Sequence, residues 1–370
     1  MKCNGGCLIP PAACWKEITS SACLIFSDPP PNSVKVPYMT QDHPFAQYVR
    51  ILGKGPKMWR DMTFDEARAA MNMVLSNEVA PLQLGAFLLL LRRKGETGEE
   101  LAGMVAAARD HFLEKNVTAE VDFDWPSYAD RHRQQPWFIL SAILLADQGY
   151  KILMHGIEGY AEGYAPTRPG LEIFGVPQAA SLSNAAAQLG DHNLVYLGLE
   201  KFCPSVQSLF ELRPFLGVRT AVNTFGRDLN PFAAPYQLQG VFHPPYKALH
   251  LETIKALSQP NGYIFKGGGG EVQRNPMKPA LVDALVNGRT EVQEWPAMTD
   301  QSVYKWREEE LAPAALLRMW QGKLELPIPE LAIIGTLAFA LKLAEPSLDF
   351  SEAEALSREI WRGRDKKRFD

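Results

Sequence analysis

The sequence predicts an α/β protein, with a small N-terminal helical domain and a large α/β domain on a mainly parallel central sheet. Three observations lead there. Residues 44–112 carry apolar positions at helical spacing. From about Val121, short apolar runs alternate with amphipathic ones, the pattern of parallel strands joined by crossover helices. A length of 370 residues accommodates two domains with well-buried cores.

The helical part reads in order. Thr63 precedes Glu66 at capping-box spacing, and Ala67, Ala70, Met71 and Val74 follow on one face. Pro81 suits the first turn of a second helix, which runs through Leu82–Leu91 and stops at Lys94-Gly95. Thr97 caps a third, carrying Leu101, Met104, Val105 and Ala108. Beyond a first strand near Val121, further strands are expected at Lys151–Met154, Leu194–Leu197, Gly240–Phe242 and Tyr263–Phe265. Helices are expected at Trp137–Gln148, Leu182–Leu189, Lys247–Leu257, Ala312–Trp320, Pro329–Leu343 and Ser351–Phe369. The expected division is 39–115 helical (with contributions from later segments), 116–345 α/β, and 346–370 a C-terminal helix with a basic end.

Composition narrows the class. A hydrophobic fraction of 46% and a charged fraction of 22% are ordinary for a soluble globular chain. The net charge of -4 argues against coating nucleic acid through bulk charge and leaves a local basic groove open. The longest apolar run, read around Leu84–Leu91, is far too short to span a bilayer, so no membrane partner is expected. No secretory pattern follows Lys2, and a cytoplasmic location is the expectation. Cys3, Cys7, Cys14 and Cys23 crowd the first 23 residues at spacings that match no zinc template. With Pro10, Pro11 and Pro29–Pro31 beside them, residues 1–38 are expected to be an extension outside the fold, disordered or non-native, with Met39 a candidate start.

Ligands on parallel sheets bind at the carboxyl ends of the strands. The loops after Val121, Met154, Leu197, Phe242 and Phe265 are therefore the place to look. They hold Arg131 and Arg133 in the first, Lys201 in the third, and Lys266 and Arg274 in the last. Tyr128, Trp137, Phe202 and Phe242 lie nearby and are suited to stacking bases. These cations read either as a polyanion site or as scattered surface charge. His155 reads as an acid–base group or as a satisfied core histidine. Gly268 and Gly269 sit in the tetraglycine Gly267–Gly270, which reads as a phosphate cradle or as a turn after a strand. The basic end at Arg362, Arg364, Lys366, Lys367 and Arg368 complements a helix dipole or contacts nucleic acid.

Two stretches resemble the anthranilate phosphoribosyltransferase family, relatives of the pyrimidine nucleoside phosphorylases. Residues 89–103, Leu-Leu-Leu-Arg-Arg-Lys-Gly-Glu-Thr-Gly-Glu-Glu-Leu-Ala-Gly, are similar to the helix–turn–helix of the family's small domain. Residues 213–231 repeat the family's Arg, Leu-Gly, Arg-Thr, Asn, Gly, Leu, Asn-Pro at the same spacing. The resemblance covers roughly residues 42–345. It implies a phosphoribosyltransferase-like fold, a cleft between the two domains, and a homodimer formed through the helical domain.

Set against the family's motifs, the chain departs at several points. The glycine-rich diphosphate loop, Gly-Thr-Gly-Gly-Asp-Gly, corresponds to 126–134, which includes Ser127 and no glycine. Lys-His-Gly-Asn corresponds to Met154-His155-Gly156-Ile157. The magnesium-binding Asp-Glu pair corresponds to a loop with one carboxylate, Glu271. His-Pro is replaced by Cys203-Pro204, while Arg213 matches an arginine that the enzymes set against the anthranilate carboxylate. Pro-Ser-Tyr at 126–128, Phe-Cys-Pro at 202–204 and Gly-Glu-Val-x-x-Asn-Pro at 270–276 are similar to the TrpD-like YbiB-type branch. That branch keeps the fold, is not known for the transferase reaction, and is associated with nucleic-acid binding. The resemblance implies no magnesium or other cofactor, and a cleft for single-stranded nucleic acid or a phosphorylated ligand. The alternative is a divergent phosphoribosyl or glycosyl transferase with an unidentified substrate.

Overall fold

Three helices of the N-terminal bundle start at residues that suit their unpaired amides, while the first, Ala46–Gly53, starts after Phe45 without a side-chain cap. Thr63 caps helix Phe64–Leu75 in a reciprocal capping box with Glu66, and Thr97 does the same for helix Gly98–Asp110 with Glu100. Pro81 opens helix Pro81–Lys94, where its missing N–H removes no bond. The computed structural model describes residues 41–55, 57–129, 133–157, 167–301 and 303–370. The expectations for residues 1–38 and for Arg131 fall outside them. Residues 44–370 form one compact unit.

Eight strands make one sheet among the described residues. They are β1 (Phe123–Ser127), β2 (Ile152–Gly156), β3 (Gln178–Ala179), β4 (Leu194–Gly198), β5 (Tyr236–Val241), β6 (Asn261–Lys266), β7 (Ala280–Val286) and β8 (Arg289–Trp295). Their order is β3-β4-β2-β1-β5-β6-β7-β8. The first six run parallel, and β7 and β8 close one edge antiparallel. Sequence reading missed that hairpin, although its signal was present. Asn287-Gly288 sits between the two strands with both residues at positive φ, 50° and 75°, as a two-residue hairpin turn requires.

Alternation along the strands assigns side chains to layers. Phe123, Trp125, Ile152, Met154 and Tyr196 join the core built with helices Phe138–Asp147, Pro313–Trp320, Pro327–Ala344 and Phe350–Gly363. Leu153, Val195 and Leu197 join the core shared with the N-terminal bundle, where Phe87, Leu91, Leu101 and Val105 are fully buried. At the centre of the first core, Phe339 meets Tyr263, Phe265 and Trp295 edge-on. Truncating such a ring to Ala costs about 3–5 kcal/mol.

Two expectations are corrected. The most membrane-like helix is Pro327–Ala344, not the Leu84–Leu91 run; its mean hydropathy is 1.5. It is 72% buried inside the protein, so its apolar surface belongs to the core of the α/β domain. The C-terminal helix ends at Gly363 rather than Phe369. Beyond it, Arg364 donates to the carbonyls of Met319, Trp320 and Trp361, and Arg368 pairs with Asp147. These two cations of the basic end are used in packing the chain terminus.

Candidate functional site

The sheet has a topological switch. From β1 the chain builds outward through β2 and β4, then crosses back to β5 on the other side of β1. Crevices form where neighbouring loops diverge in this way. β1 pairs with β2 along its whole length, but with β5 only at Phe123↔Tyr236 and Asp124↔Gln237. The carboxyl halves of β1 and β5 therefore separate.

On the β1–β2 side the described residues at the edge are packed into the interior. Tyr128 Oη lies 2.9 Å from His155 Nδ1. His155 Nε2 lies 2.9 Å from Asp124 Oδ1, outside hydrogen-bond alignment. The other Asp124 oxygen accepts from Gln237 Nε2 at 2.7 Å. His155 is 0% exposed and Tyr128 3%. Burial, and after it the neighbouring Tyr196 and Asp124, push the Tyr128 phenol well above its usual range. Ser127 Oγ is 2.7 Å from Thr167 Oγ1. A Cβ on Gly156 would lie 1.8 Å from the Ser127 carbonyl oxygen, so the two strands approach as only glycine allows. Ser127, His155 and Gly156 are thus interior positions, and of the two readings of His155 the structure matches the core histidine, with Nδ1 bonded to Tyr128 and Nε2 without an aligned partner.

A second buried layer ties the bundle to the sheet. Arg109, on helix Gly98–Asp110, donates to the carbonyls of Leu229 and Asp228 at 2.8 and 3.1 Å. Burial pulls its pKa down, opposed by Asp124 and Asp228. The Asp228 carboxylate lies 3.0 Å from His250 Nδ1 and accepts from Gln239 Nε2 at 2.7 Å. Asn230, at φ 37°, holds the next turn by bonding both the N–H and the carbonyl of Ala234. The end of the 213–231 motif is therefore a structural corner.

On the β5–β6 side the edge is open. One cavity, of about 120 Å³, lies where the bundle meets the α/β domain and is lined by Arg92, Arg219, Arg227, Tyr246 and His250. Arg92 Nη1 donates to Tyr246 Oη at 2.5 Å, a bond that raises the arginine's pKa further. Arg227 donates to the carbonyls of Asn223 and Gly270 at 2.7 and 3.5 Å. A second cavity, of about 440 Å³, is lined by Lys247, Lys266, Lys278, Gln134 and Gly267–Gly269. Phe242 and His243 line both, and among the described residues no Asp or Glu lines either. Behind the wall, Lys247 pairs with Asp283 at 2.5 Å.

The tetraglycine is first of all a turn. Gly269 and Gly270 have φ of 65° and 93°, and a Cβ on Gly267 would lie 1.7 Å from the Glu271 carbonyl oxygen. Gly268 and Gly269 nevertheless border the larger cavity. Glu271, 2% exposed, crosses the switch: its Oε1 accepts the Ala129 N–H at 2.6 Å.

The expected site residues divide accordingly. Lys266, Gly268 and Gly269 come together at the larger cavity. Arg133 and Lys201 are exposed and Arg213 is half-buried, but none of the three lines either cavity. Arg274 is a correction. It borders the larger cavity, yet it is 1% exposed, and its guanidinium donates to Glu354 Oε1 at 2.7 Å and to the Pro296 carbonyl at 2.6 Å. It packs over Trp295 and Phe339, and burial lowers its pKa against the pull of Glu354. It is an anchor for the C-terminal helix rather than a cleft cation. Among the four aromatics, Tyr128, Trp137 and Phe202 are buried, and Phe242 is 50% exposed. Sequence reading missed Arg92, Arg219, Arg227, Lys247 and Lys278. The first three lie inside the two motifs that carried the resemblance, which was the available signal.

Comparison with known proteins agrees with this architecture. The sequence profile described as "Glycosyl transferase family, helical bundle domain" matches residues 46–112, and "Glycosyl transferase family, a/b domain" matches 139–312. The uncharacterized protein YbiB of Escherichia coli is 29% identical over 251 residues, 65% of this chain and 76% of that protein. An anthranilate phosphoribosyltransferase of Oleidesulfovibrio alaskensis is 28% identical over 314 residues, 81% of this chain and 92% of that one. Among solved structures, anthranilate phosphoribosyltransferase from Thermus thermophilus superposes with a TM-score of 0.70 at 21% identity, covering 86% of this chain and 94% of that one. The Saccharomyces cerevisiae enzyme, in complex with PRPP and Mg, gives 0.71 at 18%, covering 89% and 96%. At these identities the structures establish the fold alone.

Proposed function

We propose, for a chain that belongs to the anthranilate phosphoribosyltransferase-like (TrpD-like) family of glycosyl transferases, that it binds single-stranded nucleic acid at the β5–β6 end of its cleft. One observation carries the reading. Two adjoining cavities at the carboxyl ends of parallel strands are lined, among the described residues, by arginines and lysines and by no carboxylate, in a chain whose net charge is -4. Contacts of such cations with phosphates supply most of the affinity for nucleic acid and make it depend on salt. The β1 loop supports the same reading, because 126–134 has no glycine to bring amides against a diphosphate. Glu271 does as well. A hard cation needs several oxygen ligands, and this one carboxylate already accepts a backbone N–H, so the residues present do not fit a magnesium site. Fluorescence anisotropy with a labelled single-stranded oligonucleotide across a salt series tests the reading. The expected result is tight binding at low salt that weakens by about 0.7 log units per log unit of salt for each phosphate contact. No binding at low salt ends it.

A second reading, a divergent phosphoribosyl or glycosyl transferase, draws on Gly268 and Gly269 at the larger cavity, where the glycine turn puts no side chain in the way of a phosphorylated ligand, the Gly268 N–H itself being donated to the Gln273 carbonyl. Magnesium-dependent binding of phosphoribosyl diphosphate in calorimetry, or its turnover, would favour this reading over the first. Either function is compatible with a homodimer through the bundle. Leu82 and Leu89 on helix Pro81–Lys94 are 78% and 41% exposed, and Phe215 is 87% exposed, which suits burial against a second copy. Light scattering that returns a monomer mass would remove the dimer from the proposal.

A further inference from the structure

We infer that Phe242 is a base-stacking platform between two phosphate subsites, and that it makes the cleft select single strands over duplex. The inference rests on the nucleic-acid reading above and names how that ligand is held. Phe242 follows the last residue of β5 and, among the described residues, is the one besides His243 that lines both cavities. It is half exposed, with His243 set against it edge-on at 4.7 Å and 79°. The Cβ position of Gly270 is 3.4 Å from Phe242 Cβ and 3.5 Å from its backbone N, so a side chain there would crowd the root of the Phe242 side chain.

Chemistry on either side of the ring differs. The smaller cavity presents the guanidinium-bearing Arg92, Arg219 and Arg227, a residue type that forks onto phosphate oxygens. The larger presents Lys266 and Lys278, which act as point charges beside the glycine turn, while Lys247 on its wall is paired with Asp283. A strand crossing from one cavity to the other carries its bases past Phe242. Any base has a π face to lay on an aromatic ring, whereas bases in a duplex are already stacked and paired. Because Arg92 belongs to the bundle and the other cations to the α/β domain, a phosphate in the smaller cavity touches both domains.

Three ligands of one length separate the possibilities: a single-stranded oligonucleotide, the same strand with abasic sites throughout, and the duplex. Phe242→Ala is expected to weaken the normal strand by about tenfold while leaving its salt slope unchanged. The variant should bind the abasic strand as the wild type does, and Phe242→Trp should retain normal binding. Equal loss on normal and abasic strands, or no loss on either, overturns the stacking role. Wild-type affinity for duplex or for inorganic polyphosphate equal to that for the single strand also overturns it, while leaving polyanion binding standing. A wild-type protein that binds none of the oligonucleotides at low salt fails the binding reading and this inference together.

Discussion

The carboxyl ends of β1 and β2 and those of β5 and β6 lie along one edge of a single sheet, yet they are built oppositely. On the first pair, Tyr128, His155 and Asp124 form a buried polar row, and Gly156 lets the strand backbones touch. On the second pair, the wall opens into two cationic cavities joined at Phe242 and His243. The rule that parallel sheets bind ligands at their carboxyl edge locates an edge of the molecule. Which part of that edge is accessible is decided by side-chain packing, and here Ser127, Tyr128, His155 and Gly156, within the stretches that match the family's diphosphate loop and Lys-His-Gly-Asn motif, are buried, whereas Gln134 lines the larger cavity.

The contrast can be attacked from both sides. The largest effect is expected for Arg274→Ala, which strips a buried ion pair and the aromatic packing around it, at a cost of about 4 kcal/mol in chemical denaturation. Its oligonucleotide salt slope should match the wild type, since the guanidinium faces the core; a flatter slope would return Arg274 to the cleft. Next, Gly156→Val should cost about 3 kcal/mol, because its Cβ meets backbone rather than a movable side chain. An unchanged melting temperature would mean that the β1–β2 end is not closed.

On the open side, changing Arg92, Lys266 and Lys278 together to Gln should flatten the salt slope by about 2 units if each touches a phosphate. Exposed charges contribute little to stability, so the melting temperature should stay where it is. The smallest effect belongs to Arg133→Gln with Lys201→Gln. Both residues are exposed but line neither cavity, and the slope should move by less than about 0.7. A loss as large as that of the triple variant would extend the binding surface toward the β1 and β4 loops and weaken the contrast between the two ends.

Much of the architecture was legible in the chain because its causes are local. Thr63 with Glu66 and Thr97 with Glu100 announce helix starts, and the apolar spacing after each gives the buried face. The alternation of strands and helices implied the parallel sheet, and the 89–103 and 213–231 stretches pointed to the family before any contact was known. The β7–β8 hairpin was missed despite its Asn287-Gly288 turn, because β8 is mostly exposed and lacks a continuous apolar face. The site was less legible. A charge near a strand end carries no mark of whether it will face water or core. Arg274 and Lys266 look alike in sequence, and only the approach of Glu354, Trp295 and Phe339 separates the first from the second. Arg92 meets Tyr246 across 154 residues of chain, a contact made by the bundle docking on the sheet. Capping and periodicity are settled within a few residues, so sequence determined most of the elements and their order; cavities and charge convergence need surfaces brought together from distant segments, and those the tertiary structure decided.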